Sequence, residues 1–169
     1  MKNIYRLAAA AFAFIVLGTQ ANAQSTVTAS TSATLITPIS ISKTFDMDFG
    51  TVAASSTAGT IVLDYADGTT ATGGASIPAG SAPKTAVFAV TGEGNSGFSI
   101  SIPTSSITLN GSVSGTLTVD NFAADLGTSS TLSSGSATVK VKAVLSVPAD
   151  AVAGTYTNAS DLFVTVNYN

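Results

Sequence analysis

The chain has 169 residues, with 6 Lys+Arg against 9 Asp+Glu and no Cys, His or Trp. The missing His and Cys remove the usual ligands of zinc, copper, haem and iron–sulfur sites, the Ser–His–Asp and Cys–His nucleophile systems, and any disulfide framework. Charged residues are 9% of the chain and the pI is near 4.4, which offers nucleic acid no basic footprint.

In chain order, the first expected element is a secretory signal over 1–23. Lys2 and Arg6 form a positive start, Leu7 to Leu17 is apolar, and Ala21-Asn22-Ala23 matches an A-x-A cleavage site before Gln24. The apolar run falls short of the roughly 20 residues that a spanning helix needs, and no second long run follows. The product is therefore expected to be exported, with no transmembrane segment in the mature chain. That chain, from Gln24 onward, has 146 residues, enough for one domain with a real core.

Of those 146 residues 23 are Ser, 24 Thr and 14 Val. Thr and Val suit a pleated surface because branching at Cβ stiffens χ1. A Ser/Thr-rich chain also fits a disordered stalk, but period-two alternation argues for strands. Ile61, Leu63 and Tyr65 alternate, as do Phe98, Ile100 and Ile102, the series Val139 to Val147, and Leu162, Val164, Val166 and Tyr168. The strands predicted are 33–41, 45–52, 59–65, 85–91, 97–102, 106–109, 115–122, 136–147 and 161–168. Turn signals separate them, including Asp67-Gly68, Gly92-Glu93-Gly94, and Asn110-Gly111 as the expected tip of a hairpin. Residues 66–84 read as an irregular surface loop. No stretch of ten or more residues outside 1–23 keeps helical periodicity, so the fold class expected is an all-β sandwich.

Candidate chemistry is sparse. Asp46 and Asp48 flank Met47 and could approach Ca²⁺, but two carboxylates fall short of its usual oxygen set, and solvated charges explain them better. Glu93 is a conceivable catalytic carboxylate, yet such chemistry wants a partner at a defined distance. Gly92-x-Gly94-x-x-Gly97 matches a dinucleotide fingerprint letter by letter, but it is expected to join two strands rather than open a helix. Asn158-Ala159-Ser160 is an N-x-S sequon whose value depends on the secretory route. No catalytic residue, metal or cofactor is assigned.

The two ends carry the most information. Residues 24–36 are uncharged, with Val27, Ala29, Ala33 and Leu35 on one face of an extended segment. They form either an ordinary first strand or a strand that completes a neighbouring subunit by β-addition. Residues 161–168 are expected to form an alternating strand that runs to the last residue but one.

Met47-Asp48-Phe49-Gly50 and the closing Leu162 to Tyr168 resemble the (L/M)-x-F-G signature and last strand of bacterial pilins and spore-coat-protein-U-like domains. The overall pattern is most similar to an exported bacterial family, domain of unknown function 4402. The motifs are Ala33-Thr34 to Pro38-Ile39-Ser40-Ile41, then Asp48-Phe49-Gly50, Val90-Thr91-Gly92 and Val166-Asn167-Tyr168. The resemblance implies an immunoglobulin-like, pilin-like sandwich over 37–169, incomplete and completed by a donor strand. It implies a donor strand within 24–36, at Val27, Ala29, Ala33 and Leu35. It also implies a last strand, Leu162, Val164, Val166, Tyr168 and the Asn169 carboxylate, gripped by a periplasmic chaperone that lends a strand of its own, which an outer-membrane usher then exchanges for the N-terminal strand of the next subunit. The expected protein is a non-catalytic subunit of a surface fibre or coat, partnered by copies of itself or related subunits. A self-contained sandwich that binds a ligand or surface glycan as a monomer is the alternative.

Overall fold

A computed structural model describes residues 24–169 apart from Ser160. The signal-peptide expectation for 1–23 lies outside the described residues. Contacts divide the chain into Met1–Thr34 and Leu35–Asn169. Within the first unit, residues 24–34 have no regular secondary structure and every side chain is exposed.

The second unit is all-β, with no helix among the described residues. Its strands in order are β1 (Ser40–Phe45), β2 (Gly59–Leu63), β3 (Thr69–Gly73), β4 (Ala86–Thr91), β5 (Gly97–Ser101), β6 (Ile107–Gly111), β7 (Thr116–Ala124), β8 (Ser129–Thr131), β9 (Ser136–Val147), β10 (Tyr156–Thr157) and β11 (Thr165–Tyr168). One sheet runs β1-β4-β9-β7-β6-β10, with β2 also on β9 and β3 on β2; the other runs β11-β5-β8.

The longest strand organises both. Val139, Val141, Ala143, Leu145 and Val147 of β9 are all buried, the period-two pattern of a strand with one face inward. Along one edge of β9, β4 pairs with Ser136–Val141 and β2 with Ala143–Val147; β7 pairs along the other. The face of β9 therefore spans two cores. Val139 and Val141 pack with Phe88 and Val90 of β4 against Phe98, Ile100, Leu132 and Val166 on or beside the smaller sheet, so here sheet covers sheet. Ala143, Leu145 and Val147 pack with Ile61, Leu63, Ile107, Leu117 and Val119, and this face is closed by Phe49 and Ala75 from irregular segments. Fully burying one Val or Leu side chain contributes about 1.5–3 kcal/mol, so β9 alone anchors much of the domain.

Several expected elements move. The strand expected over 33–41 begins only at Ser40, because residues 33–39 have no ladder partner among the described residues. Residues 46–52, expected as part of a strand over 45–52, form a strap with a single bridge, Asp48 to Lys84. There Gly50, at φ +71, turns the chain, and its N–H donates to Asp48 Oδ1 (2.7 Å). The Asn110-Gly111 pair lies inside β6, and the hairpin turns one step later. Gly111 N–H donates to the Gly115 carbonyl (3.0 Å), and Gly115 takes the positive φ. Residues 66–84 are not wholly irregular: Asp64 Oδ1 accepts from the Ala66 and Gly68 N–H groups and folds β2 back into β3. Strand β8 was also unforeseen.

Candidate functional site

The features that could carry function gather where the chain enters β1, at the end of β11. There β11 ends on Tyr168 beside the turn between β4 and β5. The Tyr168 hydroxyl donates to the Thr37 carbonyl (2.7 Å) and accepts from the Glu93 N–H (2.6 Å). The Glu93 carboxylate in turn accepts from the Thr37 N–H (2.9 Å). Three segments far apart in sequence are thus tied at one point. Gly92 makes the fit possible, since a Cβ there would lie 2.4 Å from the Tyr168 hydroxyl. The backbone N–H and hydroxyl of Thr37 hold the Glu93 carboxyl below its ordinary range.

Each motif noted in the sequence has a place. Ile39 and Ile41 flank the core under β11, Val90 lies inside it, and Val166 is buried beside Tyr168. Phe49 of the Asp48-Phe49-Gly50 motif is buried over the other core. Thr37 lies inside the Ala33-Thr34 to Pro38-Ile39 motif and Gly92 closes Val90-Thr91-Gly92, but nothing in either motif points to the Tyr168 hydroxyl.

The last strand, expected over 161–168, begins only at Thr165, with Leu162 and Val164 in the irregular segment before it, but it is well seated. Leu162, Val164 and Tyr168 pack against the core that buries Val166, and the Asn169 N–H donates to the Gly97 carbonyl (3.2 Å). That bond fixes the ladder phase: Asn169, Asn167 and Thr165 point their backbone groups at β5. Val166 and Tyr168 point theirs to the other side, where β11 has no ladder partner among the described residues. Phe163, just before the strand, is exposed.

Residues 24–36 differ from the strand their pattern suggested. Val27 and Leu35 are 90% and 94% exposed, Ala29 and Ala33 are exposed too, and no strand forms. The same alternation that seats β11 finds no partner here.

The remaining candidates separate. Asp46 pairs with Lys43, while Asp48 caps Gly50. No group of three or more Asp, Glu, His or Cys that could hold a metal occurs among the described residues. Gly92 to Gly97 links β4 to β5, as a turn rather than a helix start. The Asn158 amide donates to the Thr108 carbonyl (2.9 Å) and to Asp161 Oδ2 (2.7 Å). Elsewhere, Lys84 and the Thr85 N–H hold the Asp67 carboxyl below its ordinary range, and burial followed by Asp125 pushes the Tyr65 hydroxyl up. Lys142 Nζ sits 5.2 Å from the Tyr65 ring centre. No described helix is long and apolar enough to cross a membrane.

The outer face of β2, β3, β7 and β9 bears an open concavity of about 580 Å³, whose lining includes Thr60, Thr72, Thr116, Thr118 and Ser146. Ladder register places Thr72, Thr60, Ser146, Thr118 and Thr108 in one row across five strands. Thr60 and Thr72 share a hydrogen bond of 2.7 Å.

Comparison with curated proteins and with solved structures finds no match. A family described as Domain of unknown function (DUF4402) matches residues 39–168, the stretch from the entry into β1 to Tyr168. The chain belongs to that family.

Proposed function

We propose that this protein is a non-catalytic structural subunit of an exported fibre or coat, assembled by strand donation. Residues 24–36 of one copy, through Val27, Ala29, Ala33 and Leu35, pair with the open edge of β11 in the next. The observation that carries this is the open side of β11: a strand rooted in the core whose Val166 and Tyr168 backbone groups face no ladder partner among the described residues.

Strand order supports the same reading. In an immunoglobulin constant-type sandwich, strands A-B-E-D face C-F-G. Here β1-β4-β9-β7 takes the first arrangement and β5-β11 supplies C and F. The strand next in line, G, would lie on the open side of β11. In this reading the frame is immunoglobulin-like and one strand short. An inserted strand satisfies ladder bonds and buries alternate side chains, which fixes its register. A periplasmic chaperone that fills the edge in transit, and an outer-membrane usher that directs the exchange, fit the exported route.

The test is to substitute Leu35→Asp and follow polymer length by sedimentation and electron microscopy. Loss of polymers with unchanged melting supports strand donation; wild-type protein that stays monomeric at all concentrations contradicts it.

The second reading is a monomer that binds a surface glycan, and the hydroxyl-lined concavity favours it, because uncharged hydroxyls can donate to and accept from sugars. Glycan binding by monomers that survives Leu35→Asp and is lost in Thr60→Val with Thr118→Val would support it over assembly.

A further inference from the structure

A second open edge differs in kind from that of β11. Among the described residues strand β3, Thr69-Thr70-Ala71-Thr72-Gly73, pairs only with β2, and residues 70–73 are exposed. Natural edge strands are normally blunted by charge, proline, a bulge, shortness or cover. Apart from β11, the other edges of this domain follow that rule. β1 carries Lys43 and a register shift, β10 has two residues and β8 has three. β3 has none of these devices: five uncharged residues in unbroken register, without proline.

Its ladder phase is fixed at both ends. The Asp64 N–H donates to the Gly68 carbonyl and the Gly74 N–H to the Ala58 carbonyl, so Thr70 and Thr72 face β2. Thr69 and Ala71 therefore aim their N–H and C=O groups into the open. This edge is complementary to itself. Two copies placed antiparallel about Ala71 would exchange both backbone bonds at Ala71 and set each Thr70 opposite the partner's Thr72. Threonine pairs across strands are favourable, and no like charges meet. The domain already uses such a pair in Thr60 and Thr72.

We propose that β3 is a homotypic docking edge, through which a second copy of this chain pairs antiparallel about Ala71. The pairing joins subunits side by side and is independent of strand donation at β11. One five-residue ladder buries less than the 1,200 Å² or so of a stable complex, so single subunits pair weakly. Subunits arrayed in a fibre would pair firmly, because linked weak contacts multiply.

The test uses purified protein carrying Leu35→Asp, which separates this contact from donation by residues 24–36. Sedimentation over rising concentration should show a reversible dimer. Ala71→Lys or Ala71→Glu should each weaken it by about fivefold or more, since like charges then meet at the two-fold axis. An equal mixture of the two should restore it. Both side chains would stand at an exposed position, so melting should stay unchanged; if either variant unfolds, amide exchange on the Leu35→Asp protein decides. Exchange at Thr69 and Ala71 should slow as concentration rises. Absence of a dimer, a dimer indifferent to Ala71, a mixture that stays monomeric, or exchange at Thr69 and Ala71 independent of concentration would each overturn the proposal.

Discussion

Residues 27–35 and 162–168 carry the same kind of signal, apolar side chains at alternate positions, and end in opposite states. In the second, Val166 is buried, Tyr168 is tied at its hydroxyl, and β5 completes the ladder on one side. In the first, Val27 and Leu35 stand in solvent with no ladder. Alternation states which face a strand would bury; it does not supply the neighbour that makes burial possible. One segment has its partner within the domain. The other has a pattern in search of one.

Paired substitutions break the comparison most sharply. Val166→Asp leaves an unpaired charge in the core and should cost about 3–5 kcal/mol, whereas Val27→Asp should stay within about 0.5 kcal/mol. Chemical denaturation of the two variants checks both. Gly92→Ala comes next. Its Cβ would displace the Tyr168 hydroxyl, and overpacking of this kind costs about 1–3 kcal/mol. Tyr168→Phe keeps the ring and loses the bonds to Thr37 and Glu93, for about 1–2 kcal/mol. Faster amide exchange at Glu93 should accompany that loss.

The smallest effect is in pH. Glu93 is held below its ordinary value near 4.5 by Thr37. A depressed folded value stabilises the domain above the ordinary value, and the contribution disappears as pH falls through the folded one. Melting temperature should thus fall less steeply below pH 4.5 in Glu93→Gln than in the wild type. The same acid titration should leave Leu35→Asp indistinguishable from wild type above that range.

How much of this was legible depended on whether a neighbour is needed to see it. Strand β9 could be read directly, because five alternating buried positions from Val139 to Val147 outweigh any local turn preference. β3 could not: an edge strand with exposed Thr70 to Gly73 has no apolar stripe to announce it. Asn110-Gly111 gave the right hairpin and the wrong tip, since Gly115 supplied the positive φ the turn required. Asn121, at φ 52, breaks the register of β7 on β9 without any warning in the flanking pattern. The knot of Thr37, Gly92, Glu93 and Tyr168 was divided among three motifs, and only the fold brings them within bonding distance.

The central claim is that residues 24–36 of one copy fill the open side of β11 in another. The chain has no cysteine of its own, so pairs can be introduced cleanly. Thr165→Cys, on the exposed face of β11, should be combined in turn with cysteine at Thr28, Ser30, Ser32 and Thr34, and oxidised. The account predicts covalent ladders of many subunits, formed best with one of the four partners, as a single register requires. Closed covalent monomers, or no crosslinking with any partner, would contradict it.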